Sequence, residues 1–204
     1  MALFRESIVR DYAQRALAAD RIKRRTSFLR KSEDLIFESV TAASLTDHYN
    51  MFLSHNFRDA EIVLGMKELF TEMGYKVYVD WIEDPQLNRR NVNKTTATKL
   101  KERMQKSESL FFITTENSTD SKWMPWECGY FDGIKRKVAI VPVVRNSSDE
   151  KYRGQEYLGL YPYCEKSLSR GGNELLYIYE SENIYLPYDE WVKQEEPMKW
   201  KQLS

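Results

Sequence analysis

YNMFLSHNFRDAEIVLGMKELFTEMGYKVYVDW, residues 49–81, is the stretch on which the fold turns. Its opening YNMFLS is a short apolar run of the kind that makes a buried strand. Over residues 59–73 the period changes. Ile62, Val63, Met66, Leu69 and Phe70 return at spacings of three and four, which predicts a helix with one inner face. Gly74 supplies the stop, and YKVYVDW, residues 75–81, predicts a second strand. Strand, helix and strand in such close order make a crossover unit, and a crossover leaves its two strands parallel.

The alternation continues toward the C-terminus. A polar loop, IEDPQLNRRNVN at 82–93, leads to a helix over 95–105, and SLFFITT at 109–115 predicts a third strand. A helix over 123–135 and a fourth strand, VAIVPVV at 138–144, follow, and LLYIY at 175–179 is the candidate fifth. The expected class is α/β, a flavodoxin-like doubly wound parallel sheet with helices on both faces. Such sheets bind ligands beyond the carboxyl ends of their strands, where strand order reverses. That rule nominates residues 54–58, 80–93, 114–126 and 144–148. No G-x-G-x-x-G follows a strand and no G-x-x-x-x-G-K-[ST] occurs, so neither a dinucleotide fingerprint nor a P-loop is present.

Residues 1–47 have a different character and are expected to form an N-terminal helical extension. Phe4, Ile8, Tyr12, Ala16 and Ala19 predict one amphipathic helix. Ser32, Glu33 and Asp34 look like the start of a second, short one carrying Leu35, Ile36, Phe37 and Val40. The basic run between them (Arg21, Lys23, Arg24, Arg25, Arg30, Lys31) reads as a solvated helix face, with membrane or nucleic-acid binding as the alternative. The main domain is expected over 48–180, with 181–204 as a tail packing on it or extending it. The Tyr-rich region after Val144 is expected to complete the sheet and join the core.

Composition narrows the function. At 204 residues the chain holds one ordinary domain with an appendage, which excludes a large multidomain enzyme. Hydrophobic residues at 42%, with 9 Phe, 5 Trp and 13 Tyr, are ample for a core. A formal net charge of zero argues against a protein whose main task is neutralising nucleic-acid phosphates. Cys128 and Cys164 are too few for a disulfide scaffold, and no Cys/His cluster has zinc spacing, so a reducing cytoplasm and no metal are expected. No uninterrupted apolar run resembles a signal peptide or a membrane span, so no membrane role is expected.

The segment STDSKWMPWECGYFDG, residues 118–133, carries the most chemistry. Pro125 fits a first helical turn, placing the helix start near Trp123 or Met124 and Glu127 in the opening turn, where the helix dipole favours a carboxylate. Trp123 lies four residues earlier on the same face and is expected to wall the same cleft. A carboxylate beside an aromatic wall suits glycosidic chemistry, in which it holds ribose hydroxyls and stabilises positive charge on the sugar. The same residues also fit a plain structural reading, with Glu127 as a helix-start acid and Trp123 and Trp126 as core. His55, directly after a strand, fits either a ligand contact or a hydrogen-bonded structural role. Its adjacency to Ser54 in sequence makes no catalytic triad. Cys128 reads as a small buried side chain.

Taken together, these boxes resemble the Toll/interleukin-1 receptor (TIR) domain of bacterial proteins. YNMFLSHNFRDAEIV is similar to its opening strand and helix, YKVYVDWIEDPQLNRRNV to its second strand and following loop, and SKWMPWECGYFDG to its Trp-bearing segment with the Glu. The resemblance implies an enzyme that cleaves NAD between nicotinamide and ribose, of the kind that serves as sensor in Thoeris-type anti-phage defence. It implies Glu127 as the catalytic carboxylate, and Ser54, His55, Asn56, Asp80, Trp81 and Trp123 as residues bordering the nucleotide. It further implies no cofactor, NAD as substrate, self-association on activation, a phage-derived trigger, and an ADP-ribose-derived product read by a separate effector. The loop at 82–93 lacks the Arg-Asp-x-x-Pro-Gly pattern of animal adaptor members, so receptor-style scaffolding is less supported. A non-catalytic assembly module and a nucleoside deoxyribosyltransferase are the alternatives.

Overall fold

The computed structural model describes residues 3–27, 48–84, 94–145, 156–169 and 171–203. A short strand β1 (Phe4–Arg5) runs into helix α1 (Glu6–Ser27). The alternating part follows as β2 (Tyr49–Ser54), α2 (Ala60–Glu72), β3 (Val77–Tyr78), α3 (Asp80–Glu83), α4 (Lys94–Gln105), β4 (Ser107–Thr114), α5 (Trp123–Lys135) and β5 (Val138–Val144). It ends in β6 (Tyr163–Leu168), β7 (Glu174–Ser181), β8 (Ile184–Pro187), α6 (Tyr188–Trp191) and β9 (Lys201–Gln202). The expected second short helix at 32–40 lies outside the described residues, as does 85–93 of the expected polar loop. Among the described residues no helix is long and apolar enough to cross a membrane.

All strands join one sheet in the order β3-β2-β4-β5-β6-β7-β8-β9, with β1 alongside β5. From β3 to β6 every pairing is parallel. Strand order reverses between β2 and β4, which makes the tips of those two strands the switch point. Side chains alternate across the sheet. Met51, Leu53, Phe111, Ile113, Ala139 and Val141 meet α1, α2 and α6 on one face. Phe52, Leu110, Phe112, Val138 and Ile140 meet Leu100 and Met104 of α4 and Met124, Cys128 and Phe131 of α5 on the other. Burial on both faces explains why these strands read as unbroken apolar runs.

Four expectations are corrected. The second strand is shorter than 75–81, because the chain turns into α3 at Asp80, where the Ile82 and Glu83 amides donate to the Val79 carbonyl. Asp80 and Trp81 therefore sit on a helical turn. The sheet is not wholly parallel. Residues 175–179 belong to β7, which runs antiparallel to β6, with Tyr163 opposite Tyr179 and Glu165 opposite Tyr177. The connection around Gly172, at φ 81°, is far too short for a parallel crossover. Strand β6 itself went unrecognised in YCEKSL because its polar residues hide the apolar run.

The buried stripe of α1 is also rotated from the expected one. Val9 and Ala13 face the core, whereas Ile8 is 46% exposed and Ala19 is exposed. Close packing decides this. A side chain on Gly65 of α2 would run into the Val9 carbonyl, so α1 and α2 touch backbone to backbone and only small groups fit between them. Phe4, edge-on to Phe70 at 5.8 Å, carries the N-terminal segment into the same core. Finally, Glu127 stands one turn inside α5, which has no acidic residue in its first turn.

The C-terminal residues are equally embedded. Tyr188 and Trp191 of α6 are 1% and 2% exposed, and the Tyr188 hydroxyl donates to the Asn50 carbonyl of β2 at 2.9 Å.

Candidate active site

The site is built at the tips of β2 and β4. Ser54, the last residue of β2, lies opposite Phe112 of β4 in the sheet. Helix α5 crosses behind them, and its Glu127 points back at the sheet. The Ser54 hydroxyl donates to Glu127 Oε2 at 2.6 Å, and both residues are fully buried, at 0% exposure. A carboxylate shut in this way needs donors, since burial without them costs several kcal/mol. A short O–H···O bond of this kind is a strong one.

His55 and Asp80 extend the cluster toward β3. His55 Nδ1 faces the Leu53 carbonyl at 2.8 Å and so carries the proton there, because a carbonyl only accepts. That bond turns Nε2 toward Asp80 Oδ1, 3.5 Å away, and both side chains are buried. Four sequence-nominated residues are thus buried as two pairs beside the end of β2, Ser54 with Glu127 and His55 with Asp80. Asn56 joins two loops: its Oδ1 accepts from the Arg58 amide at 3.0 Å, and its Nδ2 donates to the Asn117 carbonyl at 2.5 Å. Trp81 is 37% exposed. Trp123 is half-buried and packs edge-on against Trp126, ring centres 5.2 Å apart.

The sequence singles out neither Asp59, just outside the nominated stretch 54–58, nor Thr115 and Asn117, which lie within the nominated stretch 114–126. Asp59 is buried, and its two oxygens accept from Thr115 Oγ1 and Asn117 Nδ2, each at 2.6 Å. Asp59 looked like the start of α2, and only the tertiary structure brings the loop after β4 to it. Cys128, next to Glu127, has its thiol pushed up to about 11 by burial, which keeps it protonated and unreactive.

Hollows flank the strand tips. One, of about 570 Å³, is floored by Phe112, Ser118 and Leu158 and rimmed by Thr119, Pro125 and Tyr157 at the start of α5. The other, of about 520 Å³, lies on the α1 side and includes Arg10, Arg58, Arg145, Glu6, Glu61 and Glu116 in its lining. Its charges largely satisfy one another, with Arg10 bonded to Glu6 and Glu61, and Arg145 to Glu6 and Glu116.

No family model matches the chain. It is 54% identical over 147 residues to "Probable 3' cyclic ADP-D-ribose synthase ThsB'" of Bacillus cereus (strain MSX-D12), a stretch covering 72% of this chain and 76% of that one. The chain belongs to the Thoeris-type bacterial TIR family. A second relative of this TIR protein, "Putative cyclic ADP-D-ribose synthase TIR2" of Cytobacillus dafuensis, is 31% identical over 103 residues, which is 50% of this chain and 26% of that one. The doubly wound core is what the TIR resemblance implied.

Proposed function

We propose that this TIR protein cleaves NAD at the bond between nicotinamide and ribose and closes the remaining ADP-ribose into a cyclic signal for anti-phage defence. The observation that carries the reading is the Ser54 to Glu127 hydrogen bond at the switch point of the sheet. The Ser54 hydroxyl occupies a lone pair that a ribose hydroxyl of the substrate takes in its turn. Glu127 then anchors the nicotinamide ribose and stabilises the cationic sugar as the base departs. The bond from ribose C1 to the pyridinium nitrogen breaks, and its electron pair leaves with neutral nicotinamide. A hydroxyl of the adenosine ribose forms the new bond to C1 and gives up its proton to water. The "3' cyclic" in the relative's name favours the 3' hydroxyl as that nucleophile. The hollow floored by Phe112 and Leu158, whose described lining carries hydroxyls and no charged side chain, suits the uncharged adenosine end.

No cofactor takes part, and NAD enters only as substrate. The signal is read by a separate effector in the cytoplasm, and self-association on activation and a phage-derived trigger complete the proposal. The test is release of nicotinamide from NAD by the protein, triggered where needed, with mass spectrometry of the product. Glu127→Gln is expected to abolish release; turnover equal to the parent's removes Glu127 from the reaction. A second reading, as a non-catalytic assembly module, draws on the complete burial of Glu127. It predicts no loss of NAD from an assembled, partner-bound sample.

A further inference from the structure

We infer that Asp59 is a positioning residue for this site: it holds the loop that feeds α5 and so sets the Glu127 carboxylate against Ser54. The inference rests on the proposed function for its kinetic consequence and on geometry for the rest.

Asp59 closes the 3-10 turn Phe57–Asp59 that follows Ser54 and His55. It is 6% exposed, yet neither of its oxygens serves its own segment. Oδ2 accepts from Thr115 Oγ1 and Oδ1 from Asn117 Nδ2, each at 2.6 Å, so the carboxylate is committed to one partner loop. The Thr115 hydroxyl oxygen in turn accepts from the Asn117 amide at 3.1 Å, which locks the two donors to each other. Asn56 adds a bond to the Asn117 carbonyl at 2.5 Å, and Arg58 pairs with Asp120 at 2.7 Å. Four hydrogen bonds thus clip residues 56–59 onto residues 115–120.

What the clip controls is the start of α5. Lys122, at its N-cap, makes no side-chain capping bond, and the Ser121 hydroxyl accepts from the Met124 amide at a loose 3.3 Å. Core packing of Met124, Cys128 and Phe131 seats α5 on the sheet, and with no strong cap its first turn is held further by the chain that enters it. That chain is the loop Asp59 grips. Glu127 lies one turn further on, and the grip is made five residues after Ser54, so the clip fixes the two ends of the Ser54 to Glu127 bond relative to each other. Arg58 and Asp120 are both more than half exposed and contribute little to this. The buried bonds of Asp59 are charge-assisted and dominate.

The experiment is steady-state nicotinamide release by the full chain carrying Asp59→Asn, beside the carboxyl carbon-13 resonance of Glu127 in labelled protein at pH 7. Asp59→Asn is expected to lower kcat by about 100-fold, the scale of a displacement near 1 Å, with KM within about two-fold. The Glu127 resonance is expected to move as its bond to Ser54 loosens. Asp59→Asn combined with Asn117→Asp returns a carboxylate and an amide to the same contact with ends exchanged, and is expected to recover most of the kcat. Thr115→Val removes the hydroxyl's bond to Asp59 and the one it accepts from the Asn117 amide without changing shape, leaves the Asn117 to Asp59 bond, and gives a smaller loss of the same kind should Asp59→Asn fail to fold. A folded Asp59→Asn with parental kcat, or with a rise in kcat, overturns the inference. If the parent protein releases no nicotinamide, the proposed function fails by itself. The Glu127 resonance then decides the clip alone: a shift supports it, and an unchanged signal overturns it.

Discussion

The Ser54 hydroxyl donates to the Glu127 carboxylate across 2.6 Å, joining residues 73 positions apart in sequence at the tip of β2. Removing the donor separates two effects. Ser54→Ala leaves a fully buried carboxylate short of a partner, which costs about 1–3 kcal/mol of stability. Chemical denaturation is expected to show that loss, and NAD turnover is expected to fall without vanishing, because Glu127 remains. Unchanged stability would mean that the bond is already replaced by another donor.

Gly65 stands where α1 and α2 approach most closely. Gly65→Ala places a methyl group against the Val9 carbonyl and forces the helices apart. The expected cost is about 1–3 kcal/mol, read as a lower urea midpoint. Because Phe4, Val9 and Ala13 are core residues, removing the N-terminal segment is expected to lower stability too, before any effect on assembly can be measured.

Asp84 ends α3 in the grip of α4. Arg103 reaches it with Nε at 2.7 Å and a second nitrogen at 3.0 Å, and the Tyr78 hydroxyl adds a bond at 2.9 Å. Burial alone would raise the Asp84 pKa, but the bonds from Arg103 and Tyr78 outweigh it and hold the carboxyl below its ordinary value. A carboxyl with a lowered folded pKa contributes stability that is complete above its unfolded pKa and is lost as pH falls through the folded one. The parent is therefore expected to lose stability below about pH 4 more steeply than Asp84→Asn. Arg103→Met is expected to cost about 3–5 kcal/mol at neutral pH by stranding a buried charge. Parallel acid unfolding curves for parent and Asp84→Asn would refute the assignment.

Both cysteines are buried, with Cys128 raised to about 11 and Cys164 pushed well above its ordinary value by burial. In the folded protein at pH 7.5 both thiols are expected to react with a maleimide only as fast as the core opens. Cys128→Ala is expected to keep NAD cleavage. A loss of activity with stability intact would bring the thiol back into the chemistry.

Local patterns along the chain were enough to read the doubly wound core and to single out Glu127. The runs SLFFIT at 109–114 and VAIVPVV at 138–144, and the helical spacing of Ile62, Val63, Met66, Leu69 and Phe70, are local signals, because two-sided burial and a period of 3.6 each leave their mark within a few neighbouring residues. Crossovers between such strands then dictate parallel pairing, and the switch-point rule nominated the loops holding Ser54, Asp80 and the approach to Trp123. What only the tertiary structure decided is contact between distant parts. The α1 stripe turns on Val9 and Ala13 because Gly65 lies opposite. The chain beyond Val144 forms an antiparallel hairpin because β6 finds β5 and β7 as neighbours, which the polar YCEKSL does not announce. Asp59 meets Thr115 and Asn117 only once β2 and β4 lie side by side. Periodicity records which face of an element is buried, whereas a hydrogen bond between loops depends on the packing of whole elements, and no local pattern encodes that.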